Sequence, residues 1–98
     1  MIRHVVIWEL LATDEPEKAA AKTTITEALE SLVPKIFQIR ALSVSADVGI
    51  EGNWDISLTA DFDSVDDLRA YQRHPEHVIV GGVVRSLTIR RAAIDLEV

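Results

Sequence analysis

Four side chains able to move a proton or hold a metal fall in two short stretches: His4, and the tyrosine and histidines of Tyr71-Gln-Arg-His-Pro-Glu-His77. They are all of the chain's histidines and its only tyrosine. Histidine titrates near neutral pH, which suits it to proton transfer or metal binding, and a tyrosine hydroxyl can donate or accept a hydrogen bond. If the first strand passes beneath the second stretch, the four groups share a polar pocket in an apolar core. In that arrangement His77 is a candidate general base for a proton α to a carbonyl. Tyr71 would stay neutral and hydrogen-bond to the developing oxyanion, and His4 would orient His77 or touch the substrate. The plainer reading stands beside it: a histidine next to proline often caps a helix, and Tyr71 fits an apolar stripe with its hydroxyl at the rim.

Other chemistries have weaker support. His74-Pro-Glu-His77 offers two imidazoles and a carboxylate, but catalytic zinc usually takes three protein ligands and His4 would have to supply the third. A spacing of three across a proline is no metal signature, so neither a metal nor a cofactor is expected. A pocket lined by Trp8, Leu58, Tyr71 and the histidines could instead hold a small apolar or aromatic ligand without turning it over. Alternatively, Trp8 and Trp54 fill the core. Asp61, Asp63, Asp66 and Asp67 look like a cluster, yet strand alternation and helix capping account for each. Ser64 has no partnered base, so no nucleophile triad is present.

The elements that must position these groups belong to one domain over residues 1–98, too short for a second core. Apolar residues make up 48% of the chain and charged residues 27%, as in ordinary soluble proteins. A formal net charge of -6 opposes sequence-independent nucleic-acid binding. Arg90-Arg91, the only adjacent basic pair, would point to opposite faces of a strand. With no cysteine, disulfides and thiolate sites are excluded. Residues 1–20 do not read as a signal peptide and no apolar run is long enough to span a membrane, so a soluble cytoplasmic protein is expected.

Residues 2–11 alternate as a strand, with Ile2, His4, Val6, Trp8 and Leu10 on one face. Asp14 and Glu17 mark a helix start, the stripe Ala21, Ile25, Ala28, Leu29, Leu32, Val33 gives it a buried face, and Pro34 marks its end. Alternation returns from Gln38 to Val48, and 49–53 reads as a hairpin loop. The next strand sets Trp54, Ile56, Leu58, Ala60 and Phe62 against Asp55, Ser57, Thr59 and Asp61. Ser64 caps a helix whose inner stripe is Val65, Leu68 and Tyr71, and Pro75 breaks it at the motif. Residues 76–86 remain ambiguous between a hairpin turning at Gly81-Gly82 and a short buried helix. A final strand covers about 87–97, with Thr88, Arg90, Ala92, Ile94 and Leu96 on one face. The order β-α-β-β-α-β predicts an antiparallel sheet with helices on one side, an α+β fold.

If the helices cover the His4–Trp8–Leu42–Ile56–Ile94 side, Val5, Ile7, Ile39, Ala41, Ser43, Ser57, Thr59 and Ala93 occupy the other. That face is more apolar than an open sheet normally shows, and a second copy of the chain would cover it. The partner expected is therefore the chain itself, through the sheet face.

Three segments together resemble the stress-responsive α/β-barrel (Dabb) family of the dimeric α+β barrel superfamily. They are Met1-Ile-Arg-His-Val-Val6, then Phe62-Asp-Ser-Val-Asp-Asp-Leu68 running into Tyr71–His77, then residues 85–95. The resemblance implies a ferredoxin-like βαββαβ subunit, a four-stranded sheet and a homodimer whose two sheets form a barrel. It implies helix rather than hairpin over 76–86. Plant polyketide cyclases of this fold use the tyrosine and the last histidine of the motif for aldol cyclisation, which correspond here to Tyr71 and His77. His4 and His74 match further family histidines. Related barrels degrade haem with a histidine ligand. Trp8 and Ile56 fall at cavity-lining positions and imply a fuller, drier pocket than a long polyketide needs. The candidate catalytic set is thus His77, Tyr71 and His4, with Trp8, Ile56, Leu58 and His74 as ligand contacts. The rival expectation is a structural or stress-linked dimer with no substrate.

Overall fold

The computed structural model describes all of residues 1–98. Strand β1 (Ile2–Leu10) leads through helix α1 (Glu15–Glu30) to strands β2 (Ala41–Ala46) and β3 (Ile56–Phe62). Helices α2 (Val65–Arg73) and α3 (Pro75–Leu87) follow, and strand β4 (Thr88–Glu97) closes the chain. The strands pair antiparallel in the order β2-β3-β1-β4, the ferredoxin-like arrangement. No helix is long and apolar enough to cross a membrane.

Alternation places the core. β1 and β3 lie in the middle, paired from Ile2 with Phe62 to Trp8 with Ile56. Their inward residues Val6, Leu58, Ala60 and Phe62 are buried with Ile25 and Leu29 of α1, Leu68 of α2, and Val80 and Val84 of α3. The helices start where their caps predict: the Glu17 amide donates to the Asp14 carboxylate at 2.8 Å and the Asp67 amide to the Ser64 hydroxyl at 3.1 Å. These bonds satisfy amides that have no partner within the first turn.

The ambiguous segment is helical. His74 is extended (φ -61°, ψ 135°) and its Nδ1 accepts the Glu76 amide at 3.1 Å, so it caps α3 while Pro75 takes the first turn. Val80 and Val84 bury one turn apart. That packing outweighs two helical glycines costing about 1 kcal/mol each.

Three expectations are corrected. α1 ends at Glu30, ahead of Pro34, and the turns that follow point Leu32 and Ile36 inward and leave Val33 exposed. The second strand is shorter than 38–48. Ile39 sits in a turn, its amide donating to the Ile36 carbonyl at 3.2 Å, and is buried in the core rather than lying on the open face. The third correction concerns β4. Leu10 pairs with Thr88 but Glu9 pairs with Arg90, so Ile89 is a bulge without a partner. A one-residue shift inverts every side chain beyond it. Ile94 therefore lies opposite Val5 on the open face, and Ala93 lies opposite Val6 on the helix side. Arg91 and Asp95, opposite Trp8 and His4, turn to the helix side with it.

The open face carries Ile7, Ile94 and Leu96, all exposed, between two ion pairs. Arg3 grips Asp61 at 2.9 and 3.1 Å, and Arg90 grips Glu9 at 3.0 and 3.2 Å. The Arg90 guanidinium also lies 4.7 Å from the centre of the half-buried Trp54 ring. Trp54 precedes β3 and does not fill the core.

Candidate functional site

A cavity of about 310 Å³ opens between the sheet and α3. β1 supplies its floor through His4, Val6 and Trp8, with Leu58 of β3 beside them. Leu29 of α1, Tyr71 of α2, and His77, Val80 and Val84 of α3 form the walls. Gly81, Arg85 and Arg91 complete the lining. Alternation along β1 points His4 and Trp8 upward. The break at His74 lets α2 and α3 meet at an angle, so that Tyr71 and His77 converge over them.

The three candidate catalytic groups come together. The Tyr71 and His77 rings meet edge-on with centroids 4.5 Å apart, and His4 lies 6.4 Å from Tyr71. Phe62 supports the other side of the phenol at 4.8 Å. Tyr71 is fully buried and its hydroxyl has no hydrogen-bond partner. Such an orphan is costly and is uncommon enough in folded proteins to call for an explanation. Burial pushes its ionisation up to about 12, against an opposing pull from Arg91, so at neutral pH it is a neutral donor. His77 is shifted the other way. Burial holds its imidazole below the usual histidine value, the nearby His4 adds to this, and the Gln72 carbonyl partly opposes it. His77 is therefore a neutral acceptor at neutral pH, the form a base requires.

His4 is buried, and its Nδ1 lies 2.5 Å from an Asp95 carboxylate oxygen. An ionised carboxylate only accepts, so Nδ1 carries the proton toward Asp95 and Nε2 is the free nitrogen. Asp95 thus fixes the ring and its tautomer, as a carboxylate does in a histidine dyad. Sequence reading missed Asp95 and both arginines. The alternation of β4 was visible, but its phase is set by the bulge at Ile89.

Two proposed ligand contacts lie elsewhere. His74 is spent on capping α3 and does not line the cavity. Glu76 faces Lys35 at 3.5 Å, so the motif's two imidazoles and carboxylate do not converge on one point. Ile56 lines a larger hollow of about 570 Å³ beside the 47–54 loop, with Ile7 and Trp54. The only carboxylate there is Asp47, which accepts from the Gly49 and Ile50 amides and the Asn53 side chain. Those bonds, Asn53 foremost, hold Asp47 below the usual carboxylate range. It is tied to loop structure, and the larger hollow has no group poised for chemistry.

The chain is similar to several solved structures. One is a dimeric protein of unknown function with a ferredoxin-like fold from Bacteroides fragilis, 33% identical, with a TM-score of 0.89 over 99% of this chain and 95% of that one. A second dimeric ferredoxin-like protein of unknown function, from Thermobifida fusca, is 28% identical, with a TM-score of 0.78 over 99% and 90%. A hydroxynitrile lyase from Passiflora edulis shares the fold alone, at 12% identity and a TM-score of 0.72 over 97% and 90%. No curated protein matches at a significant level. The family model of the stress-responsive A/B barrel domain, Dabb, matches residues 2–98. The chain therefore belongs to the Dabb family.

Proposed function

We propose that the cavity binds a small organic carbonyl compound and moves a proton on it. The observation that carries the reading is the orphan Tyr71 hydroxyl, buried beside the neutral imidazole of His77. A substrate carbonyl oxygen would satisfy that hydroxyl. His77 would take a proton from the adjacent carbon; the C–H pair would become the enolate, with its charge on the oxygen facing Tyr71. Return of the proton to another carbon is isomerisation, and attack of the enolate carbon on a second carbonyl is cyclisation. His4, oriented by Asp95, would contact the substrate or relay the proton. Trp8 and Leu58 would pack on its apolar body. A lyase on the same frame is an analogy of fold only.

The test is hydrogen–deuterium exchange at the α-carbon of small ketones and aldehydes in heavy water, followed by proton NMR. Wild type should catalyse exchange, and His77→Ala should abolish it while still binding the compound. A compound that binds both proteins and exchanges with neither would leave a binding protein without catalysis.

A second reading, a dimer that works without a substrate, is favoured by the exposed apolar residues of the open face and by the relatives described as dimeric. In either case we propose that two copies pair through Ile7, Ile94 and Leu96. Sedimentation should give twice the 10.9 kDa of one chain, and Ile94→Asp should return the monomer. A monomer at every micromolar concentration would end this proposal.

A further inference from the structure

We infer that the cavity selects an anionic substrate: an organic acid whose carboxylate lies against Arg91 and Arg85 while its carbonyl faces Tyr71 and His77. The inference rests on the ligand-binding reading above and names its substrate class.

The arginines of the molecule divide into two kinds. Arg3, Arg40 and Arg90 each grip a carboxylate, those of Asp61, Asp63 and Glu9. Of the four without a carboxylate partner, Arg69 and Arg73 lie on α2 outside the cavity lining, and Arg85 and Arg91 line the cavity. In a chain of net charge -6 this concentrates unneutralised positive charge at one mouth. The carboxylate two positions along β4 on the same side, Asp95, is engaged by His4.

Both guanidinium groups are placed there by local structure. The bulge at Ile89 turns Arg91 to the helix side, opposite Trp8. Arg85 stands one helical turn beyond Gly81, and its Nη1 comes within 3.9 Å of where a Cβ on Gly81 would stand. Its head thus folds back along the cavity wall while remaining exposed to solvent. The charge of Arg91 is felt by Tyr71 and His77, and that of Arg85 by His77. A guanidinium offers a planar fork of donors that matches a carboxylate in two hydrogen bonds. Apart from His4, the remaining lining, with Val6, Trp8, Leu29, Leu58, Val80 and Val84, is apolar. It asks for an aryl or branched-alkyl body of modest size, since the cavity is at the small end of the roughly 300–1,000 Å³ usual for ligand sites. An oxo acid carries all three features.

The probe pair is benzoylformate and its uncharged methyl ester, titrated into the full chain by NMR. The acid should bind about tenfold or more tightly than the ester. Arg85→Gln with Arg91→Gln should remove that preference and leave ester binding unchanged, while Arg91→Lys alone should keep most of it. Both residues are exposed and unpaired, so the variants should fold. An ester that binds wild type as tightly as the acid, or an acid preference surviving in the double variant, overturns the inference and leaves the pocket reading standing. Binding of neither probe removes the pocket reading and the inference together.

Discussion

The two edges of the sheet are built on opposite plans. At the β2 edge α1 packs over the strand, and Leu42 and Val44 join the periphery of the core. At the β4 edge the helical layer stops short. Arg91, Ala93 and Asp95 face the same side of the sheet as Val6 and Trp8 yet remain exposed. The closed edge completes the fold, and the open edge leaves the gap that becomes the cavity. Stability and site chemistry should therefore separate along the sheet, and substitutions on the two sides test that separation.

The largest effect on stability should come from the closed side. Ile25→Ala truncates a fully buried side chain and should cost about 2–5 kcal/mol in urea unfolding. Arg91→Gln on the open side should stay within about 0.5 kcal/mol of wild type. Equal losses would break the comparison.

Tyr71 lies at the boundary and sharpens it. Tyr71→Phe keeps the ring against Phe62 and His77 but deletes the unpartnered hydroxyl. Thermal unfolding should show stability equal to wild type or higher by about 1 kcal/mol. α-Proton exchange should fall roughly 10²-fold, as when one donor to an oxyanion is removed. A variant both less stable and fully active would contradict both roles.

His77 supplies a smaller, pH-dependent term. Its pKa is lowered in the fold, so the unfolded chain takes up its proton first as pH falls through the usual value of about 6.5. Stability should decline from there until the lower folded value is reached, and change no further on this account below it. Above the usual value both states are neutral and His77 contributes nothing. His77→Gln should flatten that segment of a melting-temperature profile. Asp61, held low chiefly by its bond to Arg3, acts in a more acidic window: its contribution is present above the usual carboxylate range and is lost as pH falls through its lowered value. The smallest effect should be Arg40→Ala, which breaks an exposed pair with Asp63 and should leave the urea midpoint unchanged within error.

Much of this was legible in the residues. The alternation of β1 and β3 is strict because both strands are buried on one face, and Asp14 and Ser64 announce helix starts by simple hydrogen-bond chemistry. The motif from Tyr71 to His77, set against His4, marked the groups that converge. The open edge was not legible. A bulge shows no compositional signal at Ile89, so uninterrupted alternation puts Ile94 inside and Arg91 and Asp95 on the outer face. His74 was assigned to the ligand because a histidine carries the same letter whether it meets a substrate or caps a helix. Ile39 was misplaced because a turn, not a strand, buries it.

The unpaired residue at position 89 works as a frame for everything downstream of it. Were Ile89 instead drawn into the ladder opposite Glu9, Arg90, Ala92 and Ile94 would turn to the cavity and Arg91 and Asp95 to the outer surface. The proposed ligand-binding surface and the proposed self-association surface thus fall on alternate letters of a single strand. Each can drift by substitution, but a one-residue slip in the pairing of this strand would rewrite both at once.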